Sequence, residues 1–503
     1  MPAVSFWLAM LAALTVLRLL VAGLSPLSPD EAYYWTWSHA LAPGYLDHPP
    51  MTALWIRLGT LLCGDTRLGV RLLSPLTAGL GTLLLASACN DLRGAARLTS
   101  LGWDAPLTAS VLLNATLLLG VGAVTITPDT PLLFFWTACL AALGRLLATG
   151  RGLWWLAVGV CLGLALDSKY TAVLPGAGLA IWLLASRDAR HWLRTPWPWA
   201  AALAALALFA PVIWWNAAHG WASFIKQGGR TGNWHPAEAA GYLGELLGGQ
   251  AGLATPLIFI LFVVGMARLA RHPIKAPAGE TLLVWVTLPA VLVFVQHAFG
   301  ARVQANWPGL LYPACAIAAS MRPILAGWTL AHWTKPAAGL GFVLTALVYL
   351  QSVAAPFPLP RKLDITLTRL AGWQTLATQL VSRAAPAGDF VIADDYGVAA
   401  ELAFALPHQA VLAAAPRWRL FSMPHPDSSS ATPGGESGLL LRSERRKGGP
   451  DPSLFSGTHL LGTIERRRGD ELAERYHLYA VTIRSSLPAE LRDEIVRLPT
   501  PTR

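Results

Sequence analysis

Ser28-Pro-Asp-Glu-Ala-Tyr-Tyr-Trp35 and Gly44-Tyr-Leu-Asp-His-Pro-Pro-Met51 are polar, aromatic segments set in an otherwise apolar chain. An apolar run at 4–24 precedes them and another at 68–90 follows. A helix needs roughly 20 apolar residues to cross a hydrocarbon core, and both runs are that long. The first run lacks the Lys/Arg-bearing start of a signal peptide and is followed by further apolar runs. It therefore reads as an uncleaved first helix. Arg18 lies within it, either snorkelling to the interface or facing the protein interior.

Composition extends the membrane reading to most of the chain. Of 503 residues, 54% are hydrophobic and only 13% charged; a soluble protein carries about a quarter charged. Mean hydropathy is +0.47. The net charge of +10 raises nucleic acid as a partner, but many basic residues flank apolar runs, where membrane topology places them. Nucleic-acid binding is not expected. Cys63, Cys89, Cys139, Cys161 and Cys315 lie in or beside apolar runs without metal-ligand spacing, and none follows Cys315. They read as buried thiols rather than a disulfide framework or a metal site.

Eleven spans are expected: 4–24, 68–90, 104–123, 130–148, 153–167, 170–186, 199–216, 251–268, 281–298, 308–326 and 337–355. If they alternate, Arg93 and Arg97, Arg145 and Arg151, Arg187, Arg190 and Arg194, Arg268, Arg271 and Lys275, and Lys335 all fall on one side. That side is the cytoplasm by the positive-inside rule. The two opening segments, 124–130, 168–169, 217–250, 299–307 and the tail then lie outside. Arg57, Arg67 and Arg71 break the pattern and suggest an amphipathic segment on the outer surface. Residues 1–355 form the membrane domain in this reading, and 356–503 a small soluble α/β domain. In the tail, Asp389–Tyr396 reads as a buried strand ending in a polar turn, 398–406 as helix, and 411–414 and 476–483 as strands. The Ser/Gly/Pro-rich stretch 425–450 reads as a loop.

Ionisable groups in a membrane domain are costly, so their positions are informative. Asp30, Glu31, Asp47, His48, Asp129, Asp167 and Lys169 all fall on the outer face in this topology. Scattered solvated charge would look similar for any one residue. Asp30 and Glu31 also suit a plain helix N-terminus after Pro29, and the aromatics beside them suit an interfacial belt. The Asp47-His48 pair before two prolines is more unusual.

Taken together, Asp30-Glu-Ala-Tyr-Tyr-Trp35, Tyr45-Leu-Asp-His-Pro-Pro50, Thr127-Pro-Asp-Thr-Pro131, Ser168-Lys-Tyr170, Trp214-Trp-Asn-Ala-Ala-His219 and Asn306-Trp-Pro308 resemble the protein mannosyltransferases and the bacterial ArnT-like aminoarabinose transferases. The resemblance covers residues 1 to about 320. It implies a mainly α, polytopic helical bundle of GT-C type, in a bacterial inner membrane, with its active site and tail on the periplasmic side. It implies that Asp30 is the catalytic base, that Glu31 is the second acid of that motif, and that Asp129 is the acid of the second external loop. Asp47, His48 and Lys169 are implied to lie near the donor phosphate. The aminoarabinose branch usually has Lys where this chain has His48, and a neutral His offers no charge to a phosphate. Arg230 joins the phosphate group from its outer position alone.

The expected activity is transfer of a sugar from a polyprenyl phosphate to an extracytoplasmic lipid, glycan or protein acceptor, among membrane lipids. The phosphate leaves as a stable anion, so the reaction needs a base for the acceptor hydroxyl and cations for the phosphate, not a strong acid. Direct displacement inverts the anomeric centre. No glycine-rich nucleotide loop is present. Two alternatives remain: a polyprenyl-glycan flippase, or an oligosaccharide polymerase or ligase. In the second, Asp30, Glu31 and Asp47 would hold a divalent metal through oxygen ligands. No cofactor is otherwise expected.

Overall fold

The computed structural model describes residues 2–95, 104–229, 234–274, 276–321, 330–384, 390–421, 423 and 437–501. Arg97, Arg230, Lys275 and residues 425–436 lie outside the described residues. Helices dominate up to residue 353: α1 (Pro2–Leu24), α2 (Pro29–Ser38), α3 (Met51–Cys63), α4 (Arg67–Arg71), α5 (Leu73–Ala95), α6 (Asp104–Asn114), α7 (Leu117–Gly122), α8 (Asp129–Thr149) and α9 (Trp154–Leu166). Then come α10 (Val173–Ala185), α11 (Trp197–Ala218), α12 (Ala222–Gly228), α13 (Pro236–Ala254), α14 (Pro256–Leu269), α15 (Ala278–Ala298), α16 (Tyr312–Met321) and α17 (Leu330–Val353).

Among the described residues, six helical stretches are long and apolar enough to cross a membrane: 4–24, 67–94, 129–149, 197–218, 278–298 and 333–353. A seventh is added if α13 and α14, bent by 106°, count as one span. The expected count of eleven is thus not reproduced by length. The expected span at 104–123 is two helices, because Thr116 leaves the α region and caps α7 by accepting from the Leu119 N–H. The expected span at 251–268 straddles the bend. Its corner is Thr255 (φ 68°, ψ 147°), pushed out of the helical region by the ring of Pro256.

The chain forms two compact units. The first comprises 1–19, 47–52 and 73–348. Its core is built from α5, α6, α8, α9, α10, α14, α15 and α16, with Leu85, Leu140, Trp155, Trp182 and Ile317 among the buried side chains. Small residues bring these helices close, as is common in membrane bundles. A Cβ at Gly159 of α9 would lie 2.3 Å from the Ala201 carbonyl oxygen of α11, and one at Gly178 of α10 would lie 2.2 Å from that of Trp285 in α15. Arg18 is buried here and donates from Nη1 to Asn114 Oδ1 at 2.9 Å, so it faces protein rather than snorkelling.

The second unit comprises 20–46, 53–72 and 349–503, so it draws two segments of the membrane-domain sequence in with the tail. The tail adds α18 (Trp373–Ala384), β1 (Phe390–Ala393), α19 (Tyr396–Ala405), β2 (Ala410–Ala414), β3 (Ser437–Ser443), β4 (Phe455–Arg468), β5 (Glu471–Ile483) and β6 (Ile495–Arg497). The sheet order is β4-β5-β3-β1-β2-β6. β1 runs parallel to β2 and β3, and the remaining pairs are antiparallel. Phe390, Ile392, Leu412, Leu440 and Val481 form its core. β3 lies inside the stretch read as loop: Leu439-Leu-Leu441 is fully buried beside β1, and three buried leucines outweigh the polar composition around them.

Candidate active site

α2 begins as its sequence dictates. Ser28 caps it, Pro29 sits in the first turn, and Ser28 and Glu31 form a reciprocal capping box. The turn holds its two acids differently. Glu31 is fully buried, and its oxygens accept from Arg71 Nε at 2.6 Å and Nη2 at 2.7 Å, and from the Ser28 N–H and hydroxyl at 2.9 Å. Arg71 also donates to the carbonyls of Ala22, Ser25 and Pro26. This arginine, expected on an amphipathic surface, is instead wholly buried and ties the end of α1 to α2. The geometry commits both Glu31 oxygens to holding this corner.

Asp30 is only half-buried. Its Oδ1 accepts from the Tyr396 hydroxyl at 2.9 Å, and among the described residues Oδ2 has no hydrogen-bond partner. Tyr396 opens α19 directly after β1, where Asp395 caps the helix by accepting from the Gly397 and Val398 N–H groups. A Cβ at Gly397 would lie 2.7 Å from the Pro29 side chain, so glycine permits α19 to approach α2. Burial and the Asp30 carboxylate push the Tyr396 phenol well above its ordinary range, keeping it a donor. The Arg417 guanidinium lies 3.9 Å from the centre of the Tyr396 ring and fixes its plane.

The first unit carries the other candidates. Lys169 donates to Asp129 Oδ1 at 2.7 Å and Oδ2 at 2.9 Å, and Asn306 Nδ2 donates to Oδ2 at 2.6 Å. Asp129 stands at the N-terminus of α8, where a carboxylate suits the helix dipole. Lys226 of α12 donates to Asp47 Oδ1 at 2.5 Å, and Gln227 holds the Asp47 carbonyl. The Met51 N–H donates to the Asp167 carbonyl, pinning the 47–51 segment to the end of α9. His48 lies buried among Lys169, Asp47, Asp129 and Lys226; burial first, then Lys169, pulls its pKa down to about 4. The ring is neutral at pH 7 and brings no charge to a phosphate. Arg230 lies outside the described residues.

A cavity of about 230 Å³ opens beside this group. Thr77, Thr82, Leu113 and Leu119 line its mostly apolar wall, and Asp129 and Asn306 are its strongly polar lining. Such a site accepts an apolar chain with a polar end. Among the described residues no three His, Cys, Asp or Glu side chains converge as metal ligands.

Sequence reasoning missed Tyr396, Lys226 and the pairing of Arg71. Arg71 was visible as a cation on the wrong side. Asn306 lay in a quoted motif without a role. Lys226 carried no signal beyond its place in an outer loop.

Residues 47–215 match the family described as dolichyl-phosphate-mannose-protein mannosyltransferase. The lipid A galacturonosyltransferase RgtD of Rhizobium johnstonii is 31% identical over 75% of this chain and 77% of its own. Among solved structures, ArnT from Cupriavidus metallidurans shares the fold. Its apo form gives a TM-score of 0.59 at 16% identity and its complex with undecaprenyl phosphate 0.61 at 15%, each covering 95% of this chain and 98% of the other.

Proposed function

The chain belongs to the bacterial ArnT-like GT-C glycosyltransferases, multi-pass membrane enzymes, and from that premise we propose that it moves a sugar from a polyprenyl phosphate to an envelope lipid or glycan, with Asp30 as base. The observation that carries this reading is the Asp30 carboxylate: one oxygen is oriented by the Tyr396 hydroxyl, while the other has no hydrogen-bond partner among the described residues. The apolar cavity with Asp129 and Asn306 in its wall supports a donor whose tail is hydrocarbon and whose head is charged. The relative that acts on lipid A supports a lipid acceptor, and the related fold holding undecaprenyl phosphate supports the carrier. The basic residues that the sequence pattern sets opposite these motifs support a periplasmic site.

In the proposed reaction Asp30 Oδ2 takes the proton of an acceptor hydroxyl as that oxygen attacks the anomeric carbon. The bond from that carbon to the phosphate oxygen breaks, and the polyprenyl phosphate leaves with the electron pair. Lys169 offsets the charge gathering on the phosphate, held in place by Asp129, which Asn306 holds in turn. Lys226, steadied by Asp47, adds a second cation. His48 packs between them as a neutral group, and Glu31 keeps the α2 turn in shape through Arg71.

The test is product stereochemistry. Purified enzyme with undecaprenyl-phosphate sugar and lipid A is expected to give a glycoside of inverted configuration by NMR. A retained configuration overturns single displacement, and carrier movement with no new glycosidic bond overturns the enzyme reading.

A further inference from the structure

A second cavity, of about 580 Å³, lies wholly within the second unit, and its lining is strongly cationic. Among the described residues Arg361, Lys362, Arg369, Arg445, Arg446 and Arg466 face it against two carboxylates, Asp395 and Glu474. Pro29 and Tyr396 also line it, which sets it directly beside Asp30.

The six cations differ in what occupies them. Arg466 is part of the wall: it is buried, donates to the Ala371 and Thr368 carbonyls, pairs with Glu474 at 3.5 Å, and lies 4.1 Å from the centre of the Trp373 ring. Arg361 donates to the Ala473 carbonyl. Arg445 reaches Glu474 at 3.4 Å, and Arg446 reaches Asp395 at 3.3 Å and Asp394 at 3.5 Å; both arginine side chains are exposed, so solvent weakens these pairs. Lys362 and Arg369 are exposed and have no ion pair among the described residues. The cavity is therefore left with uncompensated positive charge around a concave floor, an arrangement that attracts and orients anions.

We infer that this cavity recognises the acceptor through anionic groups, phosphate or carboxylate, on its saccharide headgroup. The inference rests on Asp30 as base, since the group beside the base is the acceptor. A lone phosphate diester of a lipid-linked sugar needs no surface of this extent, whereas a headgroup with several anions matches it.

The test uses the full chain in neutral detergent, with bisphosphorylated lipid A, the same lipid A enzymatically dephosphorylated, and phosphatidylglycerol as probes. Thermophoretic binding is expected to favour the bisphosphorylated form over the dephosphorylated one by about tenfold or more at low salt, with the preference fading at high salt. The double variant Lys362→Gln/Arg369→Gln is expected to lose most of that preference while keeping the wild-type melting temperature, because neither side chain holds the fold. Equal binding of the two lipid A forms overturns the inference. So does an undiminished preference in the double variant. Competition by phosphatidylglycerol as strong as by lipid A would make the cavity a contact for bulk anionic lipid instead. The base reading is tested separately: if Asp30→Asn transfers normally while the binding preference stands, the base assignment fails and the anion site survives.

Discussion

Replacing Glu31 by Gln separates two roles that adjacent carboxylates at a helix start easily confuse. In the structure Glu31 and Arg71 are both fully buried and joined at 2.6 Å and 2.7 Å. Arg71 spends its remaining donors on three backbone carbonyls and the Ser25 hydroxyl. Gln keeps the shape and one acceptor oxygen, but its amide turns a donor toward a guanidinium that has only donors. The arginine charge is then left uncompensated in the interior, at a cost of about 3–5 kcal/mol. For a unit of some two hundred residues this lowers the melting temperature by roughly 6–20 °C. The assay is thermal unfolding of the full chain in detergent, alongside transfer measured well below the transition. A double replacement, Glu31→Leu with Arg71→Met, is expected to regain much of the loss, since apolar pairs of similar size often match buried ion pairs. The reasoning is refuted if Glu31→Gln melts like the wild type yet loses transfer; Glu31 would then act in the chemistry.

Two further outcomes follow from the geometry. Lys169→Ala is expected to weaken undecaprenyl phosphate binding by roughly 10- to 100-fold, the worth of one hydrogen bond to a charged group, as measured by isothermal titration; unchanged affinity rules out its phosphate role. Glu401 of α19 is buried, and burial pushes its carboxyl well above its ordinary value of 4.5. It therefore binds its proton more tightly folded than unfolded, so the stability it supports is whole below about pH 4.5 and drains as pH rises from there. Glu401→Gln is expected to flatten the fall in melting temperature between mildly acidic and mildly alkaline pH, and an unchanged slope assigns that fall elsewhere.

Periodicity and apolar length carried the helical membrane architecture, because a span must satisfy its own backbone and show apolar side chains to lipid. They failed where a run of apolar residues hides a break. Thr255-Pro256 did carry a local signal, but the apolar stretch around it read as continuous. In the tail β1, α19, β2 and β5 were legible from alternation and buried runs, whereas β3 was masked by its polar neighbours. The candidate site was legible in residue type and not in pairing. Asp47 meets a lysine 179 residues away and Asp30 meets a tyrosine 366 residues away, and such partners are set by tertiary packing alone. The doubt about a phosphate contact from His48 was legible from residue type, but the burial that pulls its pKa down was not.

The most direct test of the account is Asp30→Asn in a reconstituted transfer assay with undecaprenyl-phosphate sugar and lipid A. Asn keeps the side-chain shape and the contact to the Tyr396 hydroxyl but cannot take a proton. Transfer is expected to fall by about 10²–10⁴-fold with melting temperature and donor affinity unchanged. Turnover at the wild-type rate would contradict Asp30 as the base.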